Sequence, residues 1–314
     1  MGKVTQNKLR ILCFGEAMVE LSAMDFKKKN AKIGFAGDTL NTAIYLKRLL
    51  GISADVDYLT VLGYDHFSDQ VTKYIKSEEI GSVGIRRTAL RAVGLYAINI
   101  DDNGERTFSY WRDSSAARLL FQLDEDFTKL TEYDLIYFSG ISLAILPDDI
   151  RCKLLNFLKN RSPELKVAFD SNYRPNLWEN KKIAQKSIKR AFMCSDVALP
   201  SLDDELDLLE LKTENEVNDW FSNMNIPQTV LKRGPSGPRL IGTVTHDCKF
   251  PSLQNVTDST AAGDSFNAGF LASYLMGYSV YDSARHGHDL ARVVVSHSGA
   301  ICPKDRVKRV KRQK

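Results

Sequence analysis

The sequence predicts an α/β fold in which a mostly parallel sheet is covered by helices on both faces and carries a small β lid. Short apolar segments alternate with longer segments of helical periodicity along most of the 314 residues. Strands that alternate with helices favour a parallel sheet, because each crossover helix packs back on the sheet that it leaves. One region breaks the alternation and predicts a hairpin. With 43% apolar residues, a chain of this length can form one enzyme-sized domain.

The predicted elements follow one another from an opening buried strand at 9–15. After a short extended segment at 18–21 and a loop at 34–38, Leu40 to Gly51 keep helical spacing. Two strand-like segments that flank the polar turn Asp101–Gly104 form the predicted hairpin, at 94–100 and 106–112. Further strands are predicted at 135–140, 166–170, 196–199 and 229–232, and further helices at 148–159, 181–192, 265–276 and 284–297.

Charge and composition exclude several classes of function. The net charge of +4 comes mainly from residues 304–314, which we interpret as a solvated, frayed terminus. Basic residues elsewhere form no stripe interleaved with aromatic residues, so a nucleic-acid partner is not expected. The sequence has no signal segment and no apolar run of the roughly 20 residues that span a bilayer, which predicts a cytoplasmic, soluble protein without a membrane partner.

Cysteine and histidine patterns give no sign of a metal centre. The five cysteines are scattered without a Cys-x-x-Cys pair, so reduced and mostly buried thiols are expected. His286 and His288 form the only close histidine pair, and packing explains them better than metal ligation.

A turn rich in small residues precedes one of the predicted helices. It runs from Asp258 to Asp264 with the sequence Asp-Ser-Thr-Ala-Ala-Gly-Asp. The first turn of a helix leaves backbone N–H groups unpaired and carries the positive end of the dipole, so Ala262, Gly263 and Asp264 can present donors to a phosphate. Small side chains from Ala261 to Gly263 let that phosphate approach the backbone. The turn therefore predicts an anion site.

Asp264 has two interpretations. An acidic residue in the first turn of a helix gains roughly 0.3–1 kcal/mol from the dipole and needs no further role. A carboxylate beside a phosphate site, however, is electrostatically unfavourable, so its presence there indicates a catalytic role. The role that fits is general base catalysis, in which the carboxylate accepts the proton of a hydroxyl group that attacks the γ-phosphoryl group of ATP. We therefore predict a kinase.

Several motifs make nearly the whole chain similar to the ribokinase (PfkB) family of carbohydrate kinases. The stretch 258–270 resembles the second signature of that family. The other motifs are Phe35-Ala-Gly-Asp-Thr-Leu-Asn41, Gly104-Glu-Arg-Thr-Phe108, Tyr110-Trp-Arg112, Ser139-Gly-Ile-Ser-Leu-Ala-Ile-Leu146, Asn172-Tyr-Arg-Pro175, Leu202-Asp-Asp-Glu205 and Lys232-Arg-Gly234. The resemblance implies a ribokinase-like three-layer sandwich over residues 9–303, lid strands inserted from about 15–35 and 92–113, and a basic tail at 304–314.

The resemblance also assigns roles to residues. The base falls on Asp264 and the anion hole on 261–264, where Ala261 replaces a commoner glycine. The implied substrate-binding residues are Gly37, Asp38, Asn41, Tyr96, Tyr110, Arg112, Arg174 and Asp264. The implied ATP-binding residues are Asn172, Ser201, Lys232, Gly234, Gly237, Ala261 and Gly263. Mg²⁺ is expected to bind together with ATP. The resemblance does not assign its protein ligands, and Asp204 is the candidate for a contact through water. Members often associate through lid strands, so a homo-oligomer is expected.

The hairpin indicates the substrate class. Tyr110 and Arg112 are two residues apart on one strand and so point to the same face, which Tyr96 on the partner strand can share. The resemblance places these three residues, with Arg174, around the substrate, and the planar guanidinium fork matches a carboxylate. The alternative is that both arginines are ordinary exposed residues. We favour a sugar acid.

The resulting expectation is ATP-dependent phosphorylation of 2-dehydro-3-deoxy-D-gluconate (KDG) at its 6-hydroxyl. Two alternatives stay open: a kinase for fructose, ribose or a galactonate-derived keto-acid, and a sensor that binds a sugar acid without turnover. Intact Asp264 argues against the sensor. A Rossmann dehydrogenase is disfavoured, because the loop at 34–37 lacks Gly-x-Gly-x-x-Gly and an acid that ends a second strand.

Overall fold

Twelve strands and ten α-helices make up the part of the chain that the computed structural model describes, residues 8–25, 27–100, 106–242, 250–251 and 256–313. The strands are β1 (Leu9–Phe14), β2 (Met18–Asp25), β3 (Asn30–Ala36), β4 (Ala54–Gly63), β5 (Ile85–Thr88), β6 (Gly94–Ile100), β7 (Arg106–Trp111), β8 (Leu135–Ser139), β9 (Lys166–Asp170), β10 (Val197–Ala198), β11 (Gln228–Leu231) and β12 (Arg239–Ile241). The helices are α1 (Asp38–Leu50), α2 (His66–Ser77), α3 (Asp124–Leu130), α4 (Gly140–Ala144), α5 (Asp148–Lys159), α6 (Lys181–Met193), α7 (Leu202–Leu209), α8 (Glu214–Ser222), α9 (Ala262–Leu275) and α10 (Val280–Val295).

The main sheet has eight strands in the order β12-β11-β10-β9-β8-β1-β4-β5. Each neighbouring pair is parallel except β11 and β12. Alternate side chains of β1 enter two separate hydrophobic clusters: Ile11 and Cys13 pack on the side of α1, α9 and α10, and Leu12 and Phe14 on the side of α5, α6 and α8. The predicted three-layer α/β class is confirmed.

The lid is a second sheet of four strands in the order β3-β2-β6-β7. β6 and β7 are antiparallel, with Tyr96 opposite Tyr110, and this pairing is that of the predicted hairpin. Its predicted turn, Asp101–Gly104, lies outside the described residues. β2 pairs with β6 in parallel and with β3 in antiparallel orientation, so the lid combines two hairpins that are distant in sequence.

The basic tail differs from the expected frayed terminus. The backbone N–H of Val310 donates to the carbonyl of Leu49 at 2.9 Å, and that of Gln313 donates to the carbonyl of Met276 at 3.0 Å. Val307 is buried against the core cluster that contains α1. Because apolar and basic residues alternate along the tail, it can dock on the core while its cations stay exposed.

The described cysteines, Cys13, Cys152, Cys194 and Cys302, are free thiols, and Cys248 lies outside the described residues. His286 and His288 belong to α10. His286 Nδ1 and Ser273 Oγ share a hydrogen bond at 2.7 Å, and His288 Nε2 donates to the carbonyl of Pro251 at 2.9 Å. Of the helices in the described ranges, none combines the length and apolar character required to cross a membrane.

Candidate active site

The candidate site lies at the carboxyl edge of the main sheet. Strands β1, β8 and β9 end there at Phe14, Ser139 and Asp170. Helices α1 and α9 begin at the same edge and are joined by a hydrogen bond between their first turns. Ligands of open parallel sheets bind at such an edge, since strand ends and helix N-termini converge there.

Asp264 lies in the first turn of α9, with only part of the residue exposed. Asn41 Nδ2 donates to its Oδ2 at 2.8 Å, and Thr42 Oγ1 donates to its backbone carbonyl at 3.2 Å. Burial, followed by the charge of Asp38, raises the pKa of the Asp264 carboxyl well above its ordinary value of 3.8. A carboxylate with a raised pKa is a stronger proton acceptor, which suits a general base. Asn41, expected at the substrate, therefore contacts the predicted base, Asp264.

Asp38 faces this carboxylate from the start of α1. Its Oδ2 accepts a hydrogen bond from Asn172 Nδ2 at 2.8 Å and another from the hydroxyl of Ser139. Gly37 precedes it, and a Cβ at this position would lie 2.2 Å from the carbonyl oxygen of Glu16, so only glycine allows the two chain segments to approach. Asn172, expected at ATP, thus contacts Asp38, which was predicted to bind the substrate.

The predicted anion-binding turn has an unusual backbone at Ala261. This residue precedes α9 with φ 59° and ψ 18°, in the left-handed region. Asp258 secures the turn, because its carboxylate accepts the backbone N–H of Thr260 at 2.9 Å and of Gly299 at 2.7 Å. The common glycine of the family avoids the strain that an alanine Cβ causes in this conformation.

We expect Ala261→Gly to raise the free energy of unfolding by up to about 1 kcal/mol, because relief of roughly 1–2 kcal/mol of left-handed strain exceeds the backbone entropy cost of glycine. Urea unfolding followed by circular dichroism measures the change. Ala262→Gly, at the next position and within α9, is the matched control and should give no gain. An equal gain in both variants would contradict the strain at Ala261.

A buried polar network lies behind the turn. Lys232 Nζ donates to Asp170 Oδ2 at 2.6 Å and to Asn267 Oδ1 at 3.2 Å, while Asn267 Nδ2 donates to the same Asp170 oxygen at 2.6 Å and to Tyr137 Oη at 2.9 Å. Lys232 was predicted, whereas Asp170 and Asn267 were missed. Asp170 had a usable signal, since it ends a predicted parallel strand, and Asn267 follows Asp264 by three positions on the same helix face.

A cavity of about 330 Å³ opens beside the turn. Four predicted ATP-binding residues line it, Ser201, Lys232, Gly234 and Gly263. Apolar side chains form another part of the wall, namely Pro235, Pro238, Phe266, Ala291 and Val295. A Cβ on Gly263 would lie 3.6 Å from Lys232 Nζ, so this cation reaches the turn. Gly237 does not line the cavity and instead packs against Phe250, in a left-handed conformation with φ 76°.

The lid presents aromatic rings, with a buried arginine beside them. Tyr96 and Tyr110 have ring centroids 5.8 Å apart, and Arg112 Cζ lies 5.8 Å from the centroid of Tyr110. The Tyr96 hydroxyl donates to Glu20, and burial together with nearby acids, Asp264 among them, raises the pKa of this hydroxyl. The three predicted lid residues therefore lie together on one face. Arg112 already pairs with Glu16, a residue that the sequence analysis missed.

Arg174 and Asp204 pair with each other. Arg174 Nη1 donates to Asp204 Oδ1 at 3.2 Å, and the backbone N–H of Tyr173 donates to Asp204 Oδ2 at 3.2 Å. Arg174, which was predicted to bind the substrate, is therefore the ionic partner of Asp204, the predicted candidate for contact with Mg²⁺. Within the described ranges, no group of three or more histidine, cysteine, aspartate and glutamate residues is placed to hold a metal ion.

A mostly parallel sheet, a β lid and an anion-binding turn with an adjacent carboxylate define a carbohydrate kinase of ribokinase-like fold. The chain belongs to the pfkB family of carbohydrate kinases, whose family model matches residues 8–306. The resemblance inferred from the motifs is confirmed.

Individual relatives cover nearly the full length. The 2-dehydro-3-deoxygluconokinase of Escherichia coli strain K12 is 39% identical over 308 residues, which cover 94% of this chain and 98% of the relative. The enzyme of the same name from Dickeya dadantii strain 3937 is 39% identical over 305 residues, with coverages of 93% and 96%. The crystal structure of a fructokinase with bound ATP from Xylella fastidiosa has a TM-score of 0.77 at 22% identity and coverages of 96% and 95%, a similarity of fold.

Proposed function

We propose that this protein transfers the γ-phosphoryl group of ATP to the 6-hydroxyl of KDG. The observation that carries the proposal is the position of Asp264, a carboxyl of raised pKa at the N-terminus of α9, next to the cavity residue Gly263. The identity of 39% to two enzymes named 2-dehydro-3-deoxygluconokinase supports the choice of acceptor.

Asp264 acts as the general base. Asn41 donates to Asp264 Oδ2 and so leaves Oδ1 for the hydroxyl of the substrate. As that oxygen attacks the γ-phosphorus, its proton passes to Asp264, and the bond from the γ-phosphorus to the bridging oxygen of ADP breaks. The backbone N–H group of Gly263 stabilises negative charge on the transferring group. The N–H group of Ala262, which was predicted as a further donor, already donates to the carbonyl of Ser259 at 3.2 Å.

The cavity beside the turn is the nucleotide site. Its apolar wall suits a purine ring, and Lys232 near Gly263 suits the phosphates. Mg²⁺, when bound with the nucleotide, neutralises charge on the β- and γ-phosphates. Both oxygens of Asp204 already accept hydrogen bonds from Arg174 and Tyr173, which fits contact through water better than direct coordination.

The lid supplies the carboxylate contact. Arg112 provides the cation and the rings of Tyr96 and Tyr110 provide an apolar face for the carbon chain. Arg174 has a half-exposed side chain engaged with Asp204, so it contributes less than Arg112. A homo-oligomer, implied by the family resemblance, remains a prediction that analytical ultracentrifugation tests.

A coupled assay of ADP release tests the function. KDG should stimulate turnover strongly, whereas fructose and ribose should not. The galactonate-derived keto-acid differs from KDG at one stereocentre, so its turnover measures how strictly the site selects that configuration. Absence of stimulation by KDG contradicts the proposal. Calorimetric binding of KDG without turnover would instead identify a sensor.

The pH dependence provides a further prediction. Because Asp264 must be ionised to accept a proton and its pKa is raised, kcat/KM should fall as pH decreases through the near-neutral range, rather than near pH 4 where an ordinary aspartate titrates. Stopped assays from pH 5 to 9 measure the profile.

Titration of ATP itself can also produce an acid limb, so the profile needs a control. Asp38→Asn removes a charge that raises the pKa of Asp264 and should shift the limb to lower pH, whereas the titration of ATP is unchanged. An unshifted limb in this variant would show that another group controls the profile.

A further inference from the structure

Glu16 is a buried acid at the base of the lid. Its residue is 1% exposed, and its Oε2 accepts hydrogen bonds from Arg112 Nε at 2.8 Å and from Arg112 Nη2. Its Oε1 has no hydrogen-bond partner among the residues that the structure describes. A buried carboxylate is unfavourable without a partner, so Arg112 provides most of its compensation.

Glu16 also lies where the chain crosses between the main sheet and the lid. It precedes β2, Gly37 follows β3, Gly94 begins β6 and Arg112 follows β7. A Cβ on Gly37 would lie 2.2 Å from the Glu16 carbonyl oxygen, and one on Gly94 would lie 2.6 Å from Glu16 Oε1. The other three crossings therefore contact Glu16, which fixes the base of the lid relative to β1.

The orientation of the Glu16–Arg112 ion pair determines which edge of the Arg112 guanidinium remains available to bind a ligand. Glu16 takes the side edge, formed by Nε and Nη2. The end edge, formed by Nη1 and Nη2, is the second edge at which a guanidinium binds a carboxylate in fork geometry. Arg112 is 6% exposed, so its plane is held by packing and by Glu16.

We infer that Glu16 is a positioning residue that orients the guanidinium of Arg112 toward the carboxylate of the sugar acid. The inference rests on the proposed function. Glu16 does not contact the substrate and acts through Arg112. Its removal affects recognition of the acid group while Asp264 and the nucleotide cavity remain as they are.

Glu16→Gln tests this role, because glutamine keeps the shape but loses the charge that strengthens both hydrogen bonds. We expect the KM for KDG to rise about tenfold, while kcat and the KM for ATP change less than about threefold. The comparison is repeated with Arg112→Lys as background, since lysine preserves a cation beside Glu16 but has no fork to orient. There, Glu16→Gln should raise the KM for KDG by less than about twofold.

The matched control is Glu78→Gln. Glu78 follows the C-terminal end of α2 and forms a two-point pair, at 2.7 and 2.9 Å, with Arg48 in the last turn of α1. It should leave the KM for KDG unchanged, and thermal melts verify folding of every variant.

Each other outcome overturns the role. An equal rise of KM in both backgrounds means that Glu16 only supports the fold of the lid. An unchanged KM means that Arg112 needs no orientation, and a lower KM means that Glu16 competes with the substrate for Arg112. If the unaltered protein does not turn over KDG, the proposed function fails and the role of Glu16 fails with it. The assay of the unaltered protein with KDG therefore separates failure of the proposed function from failure of the role of Glu16 alone.

Discussion

Asp264→Asn should lower kcat for KDG phosphorylation by about 10²–10⁴-fold, the typical contribution of a general base. Asparagine retains an oxygen that accepts the hydrogen bond from Asn41 Nδ2, so the local geometry is preserved and only the proton acceptor is lost. Single-turnover measurements with saturating ATP isolate the chemical step. Retention of more than a tenth of the activity would exclude Asp264 as the base.

The same substitution should stabilise the protein at alkaline pH. Since the pKa of Asp264 is higher in the folded than in the unfolded state, the folded state binds more protons over the interval between the two pKa values, and stability falls as pH rises through it. Asp264→Asn removes this loss. We expect the free energy of unfolding to exceed that of the unaltered protein by about 1–3 kcal/mol at pH 9 and by much less at pH 4.

Asp282→Asn is the matched control for both measurements. Asp282 also lies in the first turn of a helix, α10, where it accepts a hydrogen bond from Ser279 Oγ at 2.6 Å. It should leave kcat unchanged and should give no stabilisation at pH 9. The helix dipole stabilises an acid in the first turn and so opposes any gain on its neutralisation, and a similar gain in this variant would show that the effect is not specific to the buried carboxyl.

Arg112→Met should lower the free energy of unfolding by about 3–5 kcal/mol, because it leaves Glu16 as a buried charge without its partner. Adding Glu16→Gln should restore more than half of the loss, since a neutral amide is less costly to bury than a lone carboxylate. Urea denaturation of the single and double variants measures both effects. No recovery in the double variant would contradict the coupling of the two residues.

An exposed ion pair provides the comparison for this prediction. Arg10 and Glu132 interact at 3.1 Å with side chains 46% and 57% exposed. Arg10→Met should change stability by no more than about 1 kcal/mol, because solvent screens such pairs. The contrast between the two arginines isolates the contribution of burial.

Local patterns predicted most of the fold. The apolar runs at 135–140 and 166–170 indicated β8 and β9, and helical spacing after residue 39 indicated α1. The start of α9 was placed three residues late, because small residues in an anion-binding turn carry little periodicity. β4 and α2 were not assigned, although both pack into the core.

Local patterns predicted less of the site. Asp264 was found because its position in a helix first turn is visible in the sequence. Glu16, Asp170 and Asn267 act through partners far along the chain, with 96 positions between Glu16 and Arg112 and 97 between Asp170 and Asn267. A sequence shows that an arginine can bind a carboxylate, but the fold decides that Glu16 already holds Arg112.

The docked tail has an electrostatic consequence for the candidate active site. Val310 and Gln313 donate to carbonyl groups at the C-terminal ends of α1 and α9, which otherwise lack intrahelical donors. Arg309 lies beside Gly51, where α1 ends, and a cation there complements the negative pole of that helix. The two helices whose positive poles meet at Asp264 are therefore capped at their negative poles by the last residues of the chain.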